Sequence, residues 1–427
     1  MLRIGVGYEE NQSFEFDCSE CLQSIKGHLP LDQTNYRVGT LHVTGATVVG
    51  TNELPADFRE YPHVITINPD FPTPAEDAFS PFIAAFQRHG FQGLRERTRR
   101  AGLAAQASRE QGDLKRVIHN YQQERWVPFG ASVREFLPDA KLERQIDRNR
   151  ALYQILESYL APFASSKDHV RLIEFFTDHV NGLAQADAGR LQVMIEKLLG
   201  LGVLQDVQRS ALDATVRLFE VFDEFRPVLT DWDPENPDAS FPAELVVTGK
   251  ARFHEVKSLY VDAYETCARG LTIVASLINL SRRGDPDSFL PHPTFGKKKA
   301  IPFASSIADF HQKAHGAKLP MMAEEQIFFD WLNGALDSQL RNAIGHNTVK
   351  YRRDADQIQY ATDRQATKWK TITYGEFLFR ILRVVLRAHQ MNHLVKILYV
   401  SRFFHLGDVD LSTPTEAPSA SEEGSAT

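Results

Sequence analysis

The chain has 427 residues, 43% hydrophobic and 24% charged, with a formal net charge of -7. That length and balance suit two or three domains with a sizeable core, and exclude a fibrous or globally disordered chain. The acidic surplus argues against a generally basic nucleic-acid binder, while local basic patches remain compatible with it.

Residues 1–75 read as a small β-rich module, because β-branched runs at 3–8, 40–43, 47–49 and 63–67 are bounded by Gly, Pro or Asn. Within it Cys18 and Cys21 form a Cys-x-x-Cys. That spacing fits one knuckle of a zinc site, which needs two further ligands, or a pair of reduced structural cysteines. Three cysteines in so long a chain cannot make a disulfide framework, and no charged-then-apolar leader opens the sequence. We therefore expect a cytoplasmic protein.

Residues 76–240 turn helical, with apolar stripes such as Leu152, Ile155, Leu156 and Tyr159, or Leu212, Val216 and Phe219. Arg95, Arg99 and Arg100 belong to a locally positive run that suits either contact with a phosphate backbone or a solvated helix face. The Pro- and acid-rich stretch 231–240 reads as a linker.

From 241 to 405 a second helical domain is expected. A long helix over 252–282 carries Phe253, Val256, Tyr260, Ala263 and Tyr264 at helical spacing. A loop over 284–302 holds Lys297, Lys298 and Lys299, candidate phosphate contacts or simply a solubilising tip. A short helix at 305–314 precedes one continuous helix over 323–346, and a hairpin over 348–362 follows. Thr373 to Glu376 has the form of a capping box and opens a last helix running to about 404. That helix is apolar around much of its circumference. Arg380, Arg383, Arg387, His389, His393 and Lys396 interrupt it, so it is not expected to span a membrane. The polar tail, 406–427, is expected to be disordered.

The stretch Arg341-Asn342-Ala343-Ile344-Gly345-His346 falls at the end of the third long helix. Residues on a helix advance by about 100° each, which puts Asn342 and His346 within about 40° of one another and Arg341 about 140° from His346. For Arg341 and His346 to meet one ligand, the last turn must distort at Gly345 or a second copy of the chain must complete the site.

The order of helices and this motif resemble the HEPN superfamily, whose nucleases carry arginine, a polar residue, a short spacer and histidine. The resemblance covers about 245–405 and implies a mainly α fold whose C-terminal domain is a four-helix bundle with a hairpin insertion. It further implies a metal-independent endoribonuclease without a cofactor, acting as a homodimer on RNA in a toxin or phage-defence role. The resemblance says nothing about residues 1–240, which we expect to serve as a sensor, regulator or substrate-selecting part, with a regulatory protein or ligand as a partner. Arg341, Asn342 and His346 would be the catalytic set. His346 would move a proton between the 2'-hydroxyl, the leaving 5'-oxygen and solvent, because imidazole titrates near neutral pH. Arg341 would hold the phosphoryl oxygens.

The same residues admit a purely structural reading, in which Arg341 pairs with an acid on a neighbouring helix, His346 favours a helix C-terminus and Asn347 caps it. The superfamily also contains non-catalytic binding domains, so a binding or scaffold protein is the alternative.

Overall fold

The computed structural model describes residues 2–4, 11–18, 21, 23–32, 37–47, 65–67, 71–74, 81–164, 166–247, 252–293, 302–352 and 355–405. The protein is mainly α with a small β-rich module at its N-terminus. In that module the strands are β1 (Leu2–Ile4), β2 (Asn11–Asp17), β3 (Ser24–Asp32), β4 (Arg37–Val38), β5 (His42–Thr44), β6 (Ile65–Ile67) and β7 (Thr73–Pro74). The longest, β2 and β3, form an antiparallel hairpin in which Asn11 pairs with Pro30 and Asp17 with Ser24. The β-branched runs do not mark this pair, because phenylalanines anchor it. Phe14 and Phe16 are buried there, with Ile25, Leu41 and Val43 packed on them.

The helices begin with α1 (Pro81–Arg109), α2 (Gln111–Gln122), α3 (Trp126–Phe136), α4 (Gln145–Leu160), α5 (Ser166–Gly200), α6 (Val203–Glu220) and α7 (Phe222–Leu229). The short β8 (Leu245–Val246) pairs antiparallel with β7. After it come α8 (Phe253–Arg283), α9 (Ile307–Gln312), α10 (His315–Lys318), a 3-10 turn (Leu319–Glu324), α11 (Gln326–Asn333) and α12 (Ser338–Gly345). A three-stranded antiparallel sheet of β9 (Val349–Arg352), β10 (Gln357–Ala361) and β11 (Trp369–Thr373) leads into α13 (Tyr374–His405).

One apolar core runs from Ala104 on α1 to Leu398 on α13. Its centre is α13, which packs against α5, α6 and α8, so helices on both sides of the 231–240 stretch share it. Each fully buried Leu, Ile or Phe in such a core contributes about 1.5–3 kcal/mol relative to exposure. The α8–α13 contact is close because Gly270 leaves room for Met391. A Cβ at Gly270 would meet the Met391 side chain at 2.6 Å. Among the described residues no helix is long and apolar enough to cross a membrane.

Buried arginines on α13 fasten the 231–240 stretch. Arg383 donates to the carbonyls of Pro237 and Ala239, and Arg387 donates to Asp238 at 3.0 and 3.2 Å. The capping box at Thr373 forms only in part. The Thr373 hydroxyl accepts from Glu376 N–H at 3.1 Å, but the Glu376 carboxylate turns away to accept from Phe241 N–H and Arg380.

The helix expected over 323–346 is interrupted. It breaks into the 3-10 turn, α11 and α12, because Gly334 ends α11 and Asp337 starts a new N-terminus, accepting from Gln339 N–H at 2.9 Å and Leu340 N–H at 3.0 Å. The hairpin gains a third strand, β11, whose register pairs Gln357 with Thr373 and Ala361 with Trp369.

Candidate functional site

The Arg341-to-His346 motif occupies α12, a helix of eight residues held on several sides through the cap at its start. Besides capping, Asp337 accepts from Arg380 of α13 at 2.9 Å and from the Tyr360 hydroxyl of β10 at 3.2 Å, while its carbonyl accepts from Tyr260 of α8. Leu340, Ala343 and Ile344 bury the inner face of the helix.

The last turn is regular. His346 N–H donates to Asn342 O at 2.9 Å, Asn347 N–H to Ile344 O at 3.1 Å and Thr348 N–H to Ala343 O at 2.8 Å. With Asn347 at φ +55°, this is a Schellman ending with asparagine in the left-handed position. Gly345 therefore does not distort the turn. Asn342 and His346 are both exposed.

Arg341 is engaged elsewhere. Its guanidinium donates to Glu265 of α8 at 2.5 Å, and the other oxygen of Glu265 lies 2.7 Å from Nδ1 of His315. Burial alone would raise the Glu265 carboxyl, but His315 and Arg341 outweigh it and hold the group below the ordinary carboxylate range. Arg341 Nη1 also donates to Asn342 Oδ1 at 3.3 Å and lies 3.6 Å from where a Cβ on Gly345 would stand. The guanidinium thus runs along the helix to the residue before His346, over a position with no side chain.

A cleft of 590 Å³ between α2, α6 and α8 reaches Glu265. Its walls carry both signs of charge: Lys115 pairs with Glu220 at 2.8 Å and Arg217 with Asp262, while Arg269 donates to the Ser210 hydroxyl at 3.3 Å.

The proposed phosphate contacts do not form a continuous basic strip. Arg99 is exposed and spends its fork on Glu96 at 2.8 and 2.9 Å. Arg100 is half-buried, its Nε without a hydrogen bond but 3.9 Å from Glu96, and burial together with Arg97 lowers its pKa. Arg95 is exposed on the same helix. Lys297, Lys298 and Lys299 lie outside the described residues. Cys18, just after β2, donates its N–H to Gln23 O, and Cys21 lies exposed in the turn before β3; neither is in a disulfide. No third ligand joins them among the described residues.

A different set of side chains does converge. Glu157 near the end of α4, His169 in the first turn of α5, and His389 and His393 on α13 bring one oxygen and three nitrogens within 4.8 Å of one another. Glu157 Oε1 lies 3.1 Å from Nε2 of His169, 3.1 Å from Nε2 of His389 and 2.5 Å from Nε2 of His393. The three histidines are 6%, 1% and 2% exposed. Burial lowers both His389 and His393, the latter to about 3. Burial would raise Glu157, yet its three imidazole neighbours pull it far below the usual range.

The usable signal in the sequence is the pair His389 and His393, four apart and so on one helix face. Glu157 and His169 come from other helices and carry no such mark. No protein family, curated protein or solved structure matches the chain.

Proposed function

We propose that the chain is a HEPN-type endoribonuclease in which Arg341, Asn342 and His346 cut RNA by transesterification. One observation carries this reading. The exposed imidazole of His346 closes a rigidly capped helix along which the half-buried Arg341 guanidinium lies, its Nη1 beside Gly345.

The 2'-hydroxyl oxygen bonds to the neighbouring phosphorus and the P–O5' bond breaks. The hydroxyl proton passes to an imidazole base, and the 5'-oxygen leaves protonated. Arg341 stabilises the charge that builds on the non-bridging oxygens, for which a planar, always-charged fork is suited. Asn342 orients the phosphate or the imidazole. The products are a 2',3'-cyclic phosphate and a 5'-hydroxyl.

Glu265 is the guanidinium's resting partner, and a phosphate must compete with it or share the fork. A second copy of the chain, facing this helix end, would bring a further His346 to serve as the acid while the first serves as the base. The biological setting proposed is a toxin or phage-defence role, in which induced expression of the active chain arrests growth.

Incubating the purified chain with total RNA, beside Arg341→Ala and His346→Ala forms, tests the reading. Cleavage is expected from the unaltered chain alone, with cyclic phosphate at the new ends. Equal cleavage by all three would overturn it.

A second reading is a non-catalytic binding or scaffold protein. It is favoured by the Arg341–Glu265–His315 chain of contacts and by the pairing of Lys115 with Glu220 and of Arg217 with Asp262 in the neighbouring cleft. On that reading no RNA is cut, and His346→Ala leaves partner binding and growth phenotype intact.

A further inference from the structure

We propose that Glu157, His169, His389 and His393 form a binding site for a divalent transition-metal ion, zinc foremost, that ties α4, α5 and α13 together. The argument starts from proton counting. An imidazole nitrogen carries either one proton or one lone pair, not both. Nε2 of His389 and Nε2 of His393 each face Glu157 Oε1, and they also face each other at 3.2 Å.

If both nitrogens donate to the carboxylate, two N–H groups oppose one another at 3.2 Å. If one accepts from the other, its lone pair points at a carboxylate oxygen. Neither arrangement satisfies all three atoms, and His169 Nε2 adds a third nitrogen aimed at the same oxygen. The opposite edges of the two α13 imidazoles give no relief, since Nδ1 of His389 and of His393 are buried without a hydrogen-bond partner.

A cation at the centre resolves the conflict, because lone pairs from three nitrogens and one oxygen can then point at it together. Its chemistry follows from the donors: imidazole with one carboxylate suits zinc and its first-row neighbours rather than calcium or magnesium, which prefer oxygen. Size agrees too. Zinc bonds of about 2.0–2.1 Å place tetrahedral ligand atoms about 3.3 Å apart. The separations of 3.1, 3.1 and 3.2 Å lie near that edge; on binding an ion the 2.5 Å contact of His393 with Glu157 would open, and the His169 nitrogen, within 4.8 Å of the other two, would draw in.

Four protein donors close a tetrahedral shell, which assigns the ion a structural role. Two ligands one turn apart on α13 are joined to α4 and α5, with only residues 161–165 between the latter two helices. The ion would therefore lock the α4–α5 turn onto the central helix of the core. The site shares no residue with the Arg341 motif and stands whether or not the chain cuts RNA.

The deciding experiment uses the full chain without a histidine tag. Metal analysis of the purified protein is expected to find about one equivalent of zinc or a first-row relative. The stripped, folded protein should take up one equivalent of Co²⁺ with the intense visible absorption of a tetrahedral site. Its thermal midpoint should rise by about 3–8 °C on metal return. His389→Ala/His393→Ala should lose the ion, whereas His315→Ala and His346→Ala keep it. Should the double variant fail to fold, His169→Gln and Glu157→Gln supply the same readout singly. A folded wild-type chain that takes up neither Zn²⁺ nor Co²⁺ at stoichiometric addition overturns the proposal, as does an ion retained by the ligand variants.

Discussion

Two histidine-bearing regions of this molecule are built on opposite plans. The end of α12 exposes His346 and assembles its motif from six consecutive residues, whereas the Glu157 cluster buries three imidazoles from α5 and α13 against a carboxylate from α4. An exposed imidazole beside a half-buried arginine can meet a ligand and contributes little to the core. A half-buried carboxylate among three buried imidazoles couples its ionisation to folding and meets large ligands poorly. The difference separates a surface suited to transient chemistry from a site suited to holding the fold.

The sharpest way to break that comparison is to exchange the expected losses. His346→Ala is expected to reduce RNA cleavage by about 10²–10⁴-fold, the usual scale for a lost acid–base group, with the thermal midpoint nearly unchanged. Glu157→Ala should do the reverse. It removes the carboxylate that three imidazole nitrogens face and should destabilise the chain by about 1–3 kcal/mol in denaturant titration, a figure kept low because that side chain is 38% exposed. A cleavage loss that follows Glu157→Ala in a folded chain, or a stability loss that follows His346→Ala, would erase the distinction.

Asp356 sharpens the same contrast by showing a buried carboxyl without imidazoles around it. It is 6% exposed, accepts from Val247 N–H at 3.0 Å through one oxygen, and leaves the other unpartnered. Burial raises its pKa well above the ordinary value, the opposite of Glu157. The native state therefore favours the proton. Stability from this group is full below about pH 4, the unfolded value, and is lost as pH rises through the folded value. Asp356→Asn keeps the acceptor and suits the left-handed backbone at φ +50°. We expect it to stabilise the chain by about 1–2 kcal/mol at pH 8 and by nearly nothing at pH 3.5. Thermal melts of both forms across that range provide the check, and a gain that does not change with pH would remove the titration argument.

What could be read from the sequence follows the same division. The mainly α architecture, the long α8 and the terminal α13 show in periodicity, because burying one helix face writes a repeat into the chain. The break between α11 and α12 does not show, since the apolar face from Ile327 to Ala343 continues across it, and only Gly334 and the capping Asp337 mark the stop. Arg341 to His346 are legible because they are adjacent; the acid that engages Arg341 lies 76 positions away on α8 and is not. The Glu157 cluster is the extreme case. Its members are brought together by tertiary packing over 236 positions, from Glu157 to His393, and only the four-residue spacing of His389 and His393 survives as a local trace.

The smallest expected effect tests how the α12 end is held. Asn347 sits at φ +55°, where a side chain carries a steric cost that glycine avoids. Glycine also makes the unfolded chain more flexible, so the two contributions oppose. Asn347→Gly is therefore expected to shift stability by less than about 0.5 kcal/mol, whereas Asn347→Ala should cost about 1 kcal/mol. Chemical denaturation of the three forms reads the difference. Because Arg341 is fixed through Glu265 and α12 through Asp337, neither substitution should alter cleavage more than about twofold. A large loss of cleavage in Asn347→Gly, with stability retained, would mean that the left-handed cap itself aims His346 and that this end of the motif is positioned by its turn rather than by the helix before it.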